Sequence, residues 1–277
     1  MKILHVVPAL ENVCNGIAVA AKLIAAEQGA DLAEARLIAR GEGTLDGYDE
    51  VWVHSCWLPM TLKSCWRVLR AGKPLVRMTH ANLDPVRLRY HGWKKWLVGP
   101  IERWCLRRCD RIVATCEAEK GWIEMYLGKH CPPIEVTDIK RFFNLNPVNP
   151  VNPVRKKLHL LYLGRRHPLK GLEFLEAAVK GVEGVELRVV SNAFGEEKEK
   201  VWEWCDVLVL PTLSENFGLV IAEALERGKC AITTDGAPAW GDGNTYGGRL
   251  VYLNGYRDGS TDERIALLKK AIEKVCK

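Results

Sequence analysis

The 277-residue sequence contains no Asp-x-Asp triplet and no Cys-x-x-Cys pair. The first absence removes a common way of holding a divalent cation between two carboxylates. The second leaves a zinc or dithiol redox site with weak support. No charge-free run approaches the ~18 residues that a membrane-spanning helix needs. Met1-Lys2 is followed only by the short apolar run Ile3–Leu10, with no cleavage pattern, so this segment reads as a first buried strand and not as a signal peptide. Cysteine itself is not scarce, at ten residues. The chain is too long and too rich in ordinary core residues for a disulfide-stapled mini-fold, so the cysteines read as reduced thiols of a cytosolic protein.

What is present fits two compact domains. The length exceeds that of one typical domain, and 48% hydrophobic with 27% charged residues is a globular balance. The net charge of +6 is concentrated. Arg87, Arg89, Lys94, Lys95, Arg103, Arg107, Arg108 and Arg111 face only Glu102 and Asp110 in the same stretch, which accounts for the whole excess. A local basic patch implies a local anionic partner.

Short apolar runs alternate with helical patterns along the chain. Ile3–Pro8, Val51–Cys56, Pro74–Met78 and Arg111–Thr115 read as strands, and Gly16–Gln28 reads as a helix. Residues 144–153, NLNPVNPVNP, carry three Asn-Pro pairs that remove amide donors and disfavour helix. They predict an extended linker over 146–155, between a first lobe at 1–145 and a second at 156–277. The alternation then restarts with strands at 158–163, 185–190, 207–210, 230–234 and 249–253. Helices are expected at 172–180, 196–204 and 218–227, with a closing helix at about 262–275 near the lobe junction. This order predicts α/β lobes with parallel sheets, facing each other across a cleft, with ligands at the carboxyl ends of the strands.

Two segments of the second lobe carry chemistry. Gly164-Arg165-Arg166-His167-Pro168-Leu169-Lys170-Gly171 follows a strand, and its Arg165 and Lys170 are placed to neutralise a diphosphate; a solvated basic turn is the plainer reading. Ser214-Glu215-Asn216-Phe217-Gly218-Leu219-Val220-Ile221-Ala222-Glu223 leads from a strand into a helix. Amides near Asn216–Leu219 are orphan donors suited to an anion. Glu215 and Glu223 suit sugar hydroxyls, the alternative being two exposed helix acids.

Together, GRRHPLKG and CDVLVLPTLSENFGLVIAEAL resemble the G-R-x-x-x-x-K-G loop and the E-x7-E segment of glycosyltransferase family 4. The matching region runs from about Leu160 to Asp242, and EVWVHSCWLP and RMTHANLDP of the first lobe match more loosely. The resemblance implies the GT-B fold, two Rossmann-like lobes, and a retaining hexosyltransferase. It implies that Arg165 and Lys170 stabilise the leaving nucleotide diphosphate and that Glu223 holds the ribose. Glu215 would hold the transferred sugar, with the amides of Asn216, Phe217, Gly218 and Leu219 cradling sugar and phosphates. In the first lobe it points to Gly16, at the start of the first helix, and to His80, after a strand, near the donor. A lone histidine is as readily structural. No metal and no cofactor beyond the nucleotide sugar are expected, with a UDP-sugar favoured. Only Ser191–Gly195 separate the strand 185–190 from the next helix, where family members carry a longer run.

Arg87–Arg111 interleaves its cations with Tyr90, Trp93, Trp96 and Trp104, and Trp93, Trp96 and Leu97 share a helical face. Such a face suits an anionic membrane surface. A core-packing helix with a solvated basic side is the bland alternative, and nucleic acid has no supporting motif. The expected protein is therefore a cytoplasmic, peripheral enzyme that acts on a lipopolysaccharide, glycolipid or surface-polysaccharide acceptor. A catalytically silent GT-B module and a sugar-nucleotide epimerase are the rivals.

Overall fold

The computed structural model describes residues 1–10, 16–90, 92–145, 157–191 and 193–275. The chain divides into two compact units, Met1–Ile139 and Lys140–Lys277. The Asn/Pro linker expected at 146–155 lies outside the described residues.

The first unit is built on six parallel strands: β1 (Ile3–Val7), β2 (Asp31–Glu34), β3 (Glu50–His54), β4 (Leu75–Met78), β5 (Arg111–Ala114) and β6 (Ile134–Val136). Their order is β2-β1-β3-β4-β5-β6. Every residue of β1, β3 and β4 is buried, as a parallel sheet covered on both faces requires. At the edge, Glu135 and Val136 of β6 are exposed. Leu4, Val6, Val51, Val53 and Leu75 put alternate side chains into one core, each worth about 1.5–3 kcal/mol when fully buried. The opposite face of β1 carries His5 between Ile3 and Val7. Helix α1 (Gly16–Gln28) buries Ala18, Ala20, Ala21 and Ala25, small side chains that let a helix pack closely.

Helix α2 (Ala35–Arg40) ends in the left-handed Gly41, and α3 (Pro59–Arg70) opens on proline, where a missing amide hydrogen costs nothing. Next come α4 (Pro85–Arg89), whose first turn is capped by Asp84 Oδ1 accepting from Val86 N at 2.9 Å, then α5 (Gly92–Arg107) and α6 (Glu117–Leu127). The sequence did not suggest β2, α2 or β6. All three are short, and their ends are charged or lie beside proline, so no apolar period develops.

The second unit has five parallel strands: β7 (Leu158–Leu163), β8 (Val185–Val190), β9 (Val207–Leu210), β10 (Cys230–Thr234) and β11 (Leu250–Leu253), ordered β11-β10-β9-β7-β8. Helix α7 (Leu172–Ala178) follows β7 after a 3-10 turn at Pro168–Lys170. β8 leads through a few residues into α8 (Gly195–Trp204), and β9 is followed by α9 (Leu219–Glu226). The closing helix α10 (Thr261–Val275) packs on α7 and buries Leu268, Ala271 and Ile272. Residues 140–145 are tied into this unit. Lys140 pairs with Asp242, Asn144 N donates to Glu226 Oε1 at 3.3 Å, and Phe143 stacks on Phe217 with ring centres 6.0 Å apart. The described cysteines carry no disulfide.

Candidate functional site

The strand order of the second unit fixes where a ligand crevice forms. The chain runs from β7 outward to β8, then crosses to β9 on the other side of β7. The carboxyl ends of β7 and β9 therefore flank a topological switch point. The loops leaving these two strands hold the residues singled out by sequence, and hydrogen bonds join them. Leu213 N donates to Leu169 O at 2.8 Å, and Thr212 Oγ1 donates to the same carbonyl at 3.0 Å. On the other side, Glu215 N donates to Gly236 O at 2.7 Å, beyond the end of β10.

Two glycines permit this close approach. Gly171 has φ +63°, and a Cβ there would stand 2.1 Å from Pro211 O. A Cβ at Gly236 would stand 2.0 Å from Thr212 O. Neither backbone contact can be relieved by a side-chain rotation.

On this frame Lys170, the last residue of the 3-10 turn, forms an ion pair with Glu215 of the β9–α9 loop. Both side chains are about five-sixths buried, at 16% and 15% exposure. Glu215 Oε1 also accepts from Asn216 N at 3.1 Å. That bond corrects one expectation: the Asn216 amide is occupied by its neighbour's carboxylate and is not an orphan donor. The orphan donors belong to the next turn. Gly218, at φ +73°, is the N-cap of α9 and gives no side-chain cap, and the first turn of α9 holds no acid. A helix start of this kind attracts an anion through its amides and its dipole. Phe217 is buried between Phe143 and Trp240, and its carbonyl accepts from Trp240 Nε1 at 2.5 Å, so any ligand contact here comes from backbone.

Arg165 lies exposed on the loop after β7, and its carbonyl accepts from Tyr162 Oη at 2.9 Å. Glu223, one turn into α9, has a partner that sequence reasoning missed. Lys198 of α8 donates to its Oε1 at 2.9 Å and stands 2.7 Å from Oε2. In the sequence Lys198 sits within GEEKEK, which reads as a solvated helix. Only the direct passage from β8 into α8 brings it against α9. Neither glutamate is an exposed helix acid.

The first unit has a corresponding switch point between β1 and β3. Gly16, the first residue of α1, is exposed, and the residues just before it are outside the described set. His80 follows β4 and is buried. The loops after β3 and β4 hold four non-glycine residues in the left-handed region: Ser55 (φ 75°), Trp57 (71°), His80 (53°) and Ala81 (54°). Each such residue costs on the order of 1 kcal/mol or more, and strain of this kind gathers at functional loops.

Two buried carboxylates hold these loops, and sequence reasoning identified neither. Glu119 accepts from Thr79 Oγ1 at 2.6 Å, Ala81 N at 2.5 Å, Thr115 N at 2.8 Å and Thr115 Oγ1 at 2.7 Å. Glu102 accepts from Trp57 N at 2.7 Å and pairs with Arg77 at 2.8 Å, with both side chains fully buried. Burial and the neighbouring Arg87 push the His80 pKa down to about 3, so its imidazole is neutral near pH 7.

Helix α5 of the basic stretch packs Cys105 and Leu106 into the core and presents an exposed aromatic face on its other side. Trp93 and Trp96 of α5 are 65% and 78% exposed, beside exposed Leu97 and Ile101. Not all of its cations face solvent. Arg111 is bound by Glu50 through two guanidinium nitrogens, and Lys95 hydrogen-bonds the Arg87 and Tyr90 carbonyls. Among the described residues, no group of three or more His, Cys, Asp or Glu side chains is arranged to hold a metal ion. No helix among them is long and apolar enough to cross a membrane.

Comparisons with known proteins agree with this geometry. The family model described as "Glycosyl transferase 4-like domain" matches residues 16–137, and the one described as "Glycosyl transferases group 1" matches residues 148–268. No curated protein sequence matches the chain. Among solved structures, Anabaena HepE in complex with UDP and glucose superposes with a TM-score of 0.68 at 17% identity, over 99% of this chain and 90% of that one. Sucrose-phosphate synthase from Thermosynechococcus elongatus gives 0.68 at 12% identity, over 99% and 90%. The apo form of the lipopolysaccharide outer core galactosyltransferase WaaB gives 0.63 at 15% identity, over 100% and 92%. With the two models spanning both units, the chain belongs to the group 1/family 4 glycosyltransferases and is a glycosyltransferase of the GT-B fold.

Proposed function

We propose that the protein transfers a hexose-type sugar, with retention and without a metal ion, from a nucleotide sugar to a lipopolysaccharide, glycolipid or surface-polysaccharide acceptor. The observation that carries this reading is the pairing of Lys170 with Glu215 at the β7/β9 switch point, beside the uncapped start of α9. A bound diphosphate competes with Glu215 for Lys170. Once displaced, the Glu215 carboxylate becomes an acceptor for sugar hydroxyls. Arg165, Lys170 and the amides of Gly218 and Leu219 then face the charge that develops on the leaving diphosphate, which is the role a metal plays in other transferases. Glu223 accepts from the ribose hydroxyls, with Lys198 holding its carboxylate in place. For the first unit we propose donor contacts from His80, as a neutral imidazole, and from the backbone at Gly16.

A UDP-sugar is the favoured donor, supported by the UDP and UDP-glucose complexes of Anabaena HepE among the similar structures. The lipopolysaccharide galactosyltransferase supports the acceptor class. The face of α5 carrying Trp93, Trp96, Leu97 and Ile101, flanked by lysine and arginine, suits docking on an anionic membrane, where tryptophan rings sit at headgroup depth. We infer that the enzyme works at the cytoplasmic face of the membrane bearing its acceptor. A screen of UDP-, GDP- and ADP-sugars, with and without EDTA, tests the reading. One donor class should be hydrolysed or transferred equally well under both conditions. No turnover with any donor, or turnover only with added divalent cation, contradicts it.

A further inference from the structure

Three histidines far apart in sequence form one hydrogen-bonded line through the first unit. His5 lies on β1, His54 on β3 and His80 just beyond β4, and these strands are neighbours in the sheet. The register pairs His5 with Trp52 and His54 with Met78. Each step therefore moves one strand across and two residues toward the carboxyl edge, on one face of the sheet. His5 Nδ1 is 2.9 Å from His54 Nε2, and His54 Nδ1 is 2.8 Å from His80 Nε2. At the other end, His5 Nε2 is 2.8 Å from Oε1 of Gln28, the last residue of α1. All three rings are buried. His5 is stacked on Trp52 with ring centres 4.9 Å apart, which keeps its plane fixed.

A neutral imidazole has one N–H and one lone pair. Each nitrogen-to-nitrogen link in such a line holds a single hydrogen, so the direction of the first link dictates the rest. With Gln28 Oε1 as acceptor, His5 carries its hydrogen on Nε2 and accepts on Nδ1. His54 then donates from Nε2 and accepts on Nδ1, and His80 donates from Nε2. A donor at the Gln28 position reverses every link and moves the His80 hydrogen to Nδ1. Burial disfavours the alternative of an added proton, and the pKa values of all three histidines are shifted downward.

We propose that Gln28, His5 and His54 are positioning residues that fix the tautomer of His80, holding its hydrogen on Nε2 and leaving Nδ1 as an acceptor. The relay rests on the three hydrogen-bonded links and not on the proposed placement of His80 at the donor sugar.

Nitrogen-15 NMR of the full chain with labelled histidine tests the relay directly. All three histidines should be neutral at pH 7 and protonated on Nε2. Gln28→Glu, an obligate acceptor, should preserve this pattern. Gln28→Lys, an obligate donor, should move the His80 hydrogen to Nδ1 from three hydrogen bonds away. A His80 tautomer that ignores Gln28→Lys overturns the relay. So does a wild-type spectrum with His5 or His54 protonated on Nδ1, a measurement that needs no variant to fold. Donor turnover separates the two claims. A switched tautomer accompanied by a kcat loss on the order of tenfold to a hundredfold, the range for one misdirected buried hydrogen bond, supports both. A switched tautomer with unchanged kcat keeps the relay and removes His80 from the sugar site.

Discussion

Lys170, on the loop after β7, is ion-paired with Glu215, on the loop after β9, so the cation we propose for a diphosphate is already held at the mouth of the switch point. The pair keeps two largely buried charges compensated until a ligand arrives. Glu215→Gln removes the competitor for Lys170 along with a charged acceptor for the sugar. Nucleoside diphosphate should then bind as well as or better than to the wild type, while kcat for transfer falls by about 10²-fold or more. Calorimetry with the diphosphate alongside steady-state kinetics separates the two effects.

Gly171 is fixed by its left-handed φ and by the Pro211 carbonyl, which stands 2.1 Å from where a Cβ would lie. Gly171→Ala should push the two site loops apart, at a cost of about 1–3 kcal/mol. Urea denaturation should register that loss, together with weakened donor binding. Unchanged stability and affinity would mean that the close approach is not needed.

Arg77 and Glu102 form a fully buried pair that also holds the Trp57 amide. Breaking such a pair from one side leaves an uncompensated interior charge, at about 3–5 kcal/mol. Arg77→Met should therefore lower the unfolding free energy by that amount. The double variant Arg77→Met/Glu102→Leu should recover part of it.

The histidine line gives the first unit a defined pH response. The folded unit refuses protons that the unfolded chain accepts below a pKa of about 6.5. Stability is complete above that value and falls as the pH drops toward about 3, where His80 titrates in the fold. His80 contributes up to about 1.4 kcal/mol per pH unit within that window, and the lowered pKa values of buried His5 and His54 act in the same direction. Unfolding measured between pH 7 and pH 5 should show this slope, and His54→Gln should reduce it.

Much of this architecture is legible in the sequence. The buried parallel strand Val207–Leu210 is a continuous apolar run, and the Ala/Ile pattern of Gly16–Gln28 leaves no competing period. Lys170, Glu215 and Glu223 stand out in the sequence because each sits at a fixed offset from a strand end or a helix start. The partners that complete the site were not visible. Lys198 is one charge in a polar run, Glu102 and Glu119 read as ordinary helix acids, and His5 and His54 look like isolated polar residues in strands. Strand register alone assembles the histidines, and register is a property of the folded sheet.

The exposed tryptophans of α5 lead to a binding prediction. Co-sedimentation with liposomes should require anionic lipid and weaken with salt, since screening shortens the reach of surface charge to about 8 Å at physiological ionic strength. Trp93→Ala/Trp96→Ala should abolish it without loss of fold, because both rings are already in solvent. Equal binding to neutral vesicles would count against an electrostatic dock.

The most direct test is single-turnover transfer with the productive nucleotide sugar in EDTA, comparing wild type, Lys170→Arg and Lys170→Ala. Removing the Lys170 charge should slow the chemical step by about 3 kcal/mol or more, roughly 10²-fold or beyond, and Lys170→Arg should restore part of the rate. A Lys170→Ala enzyme that transfers sugar at the wild-type rate contradicts the account.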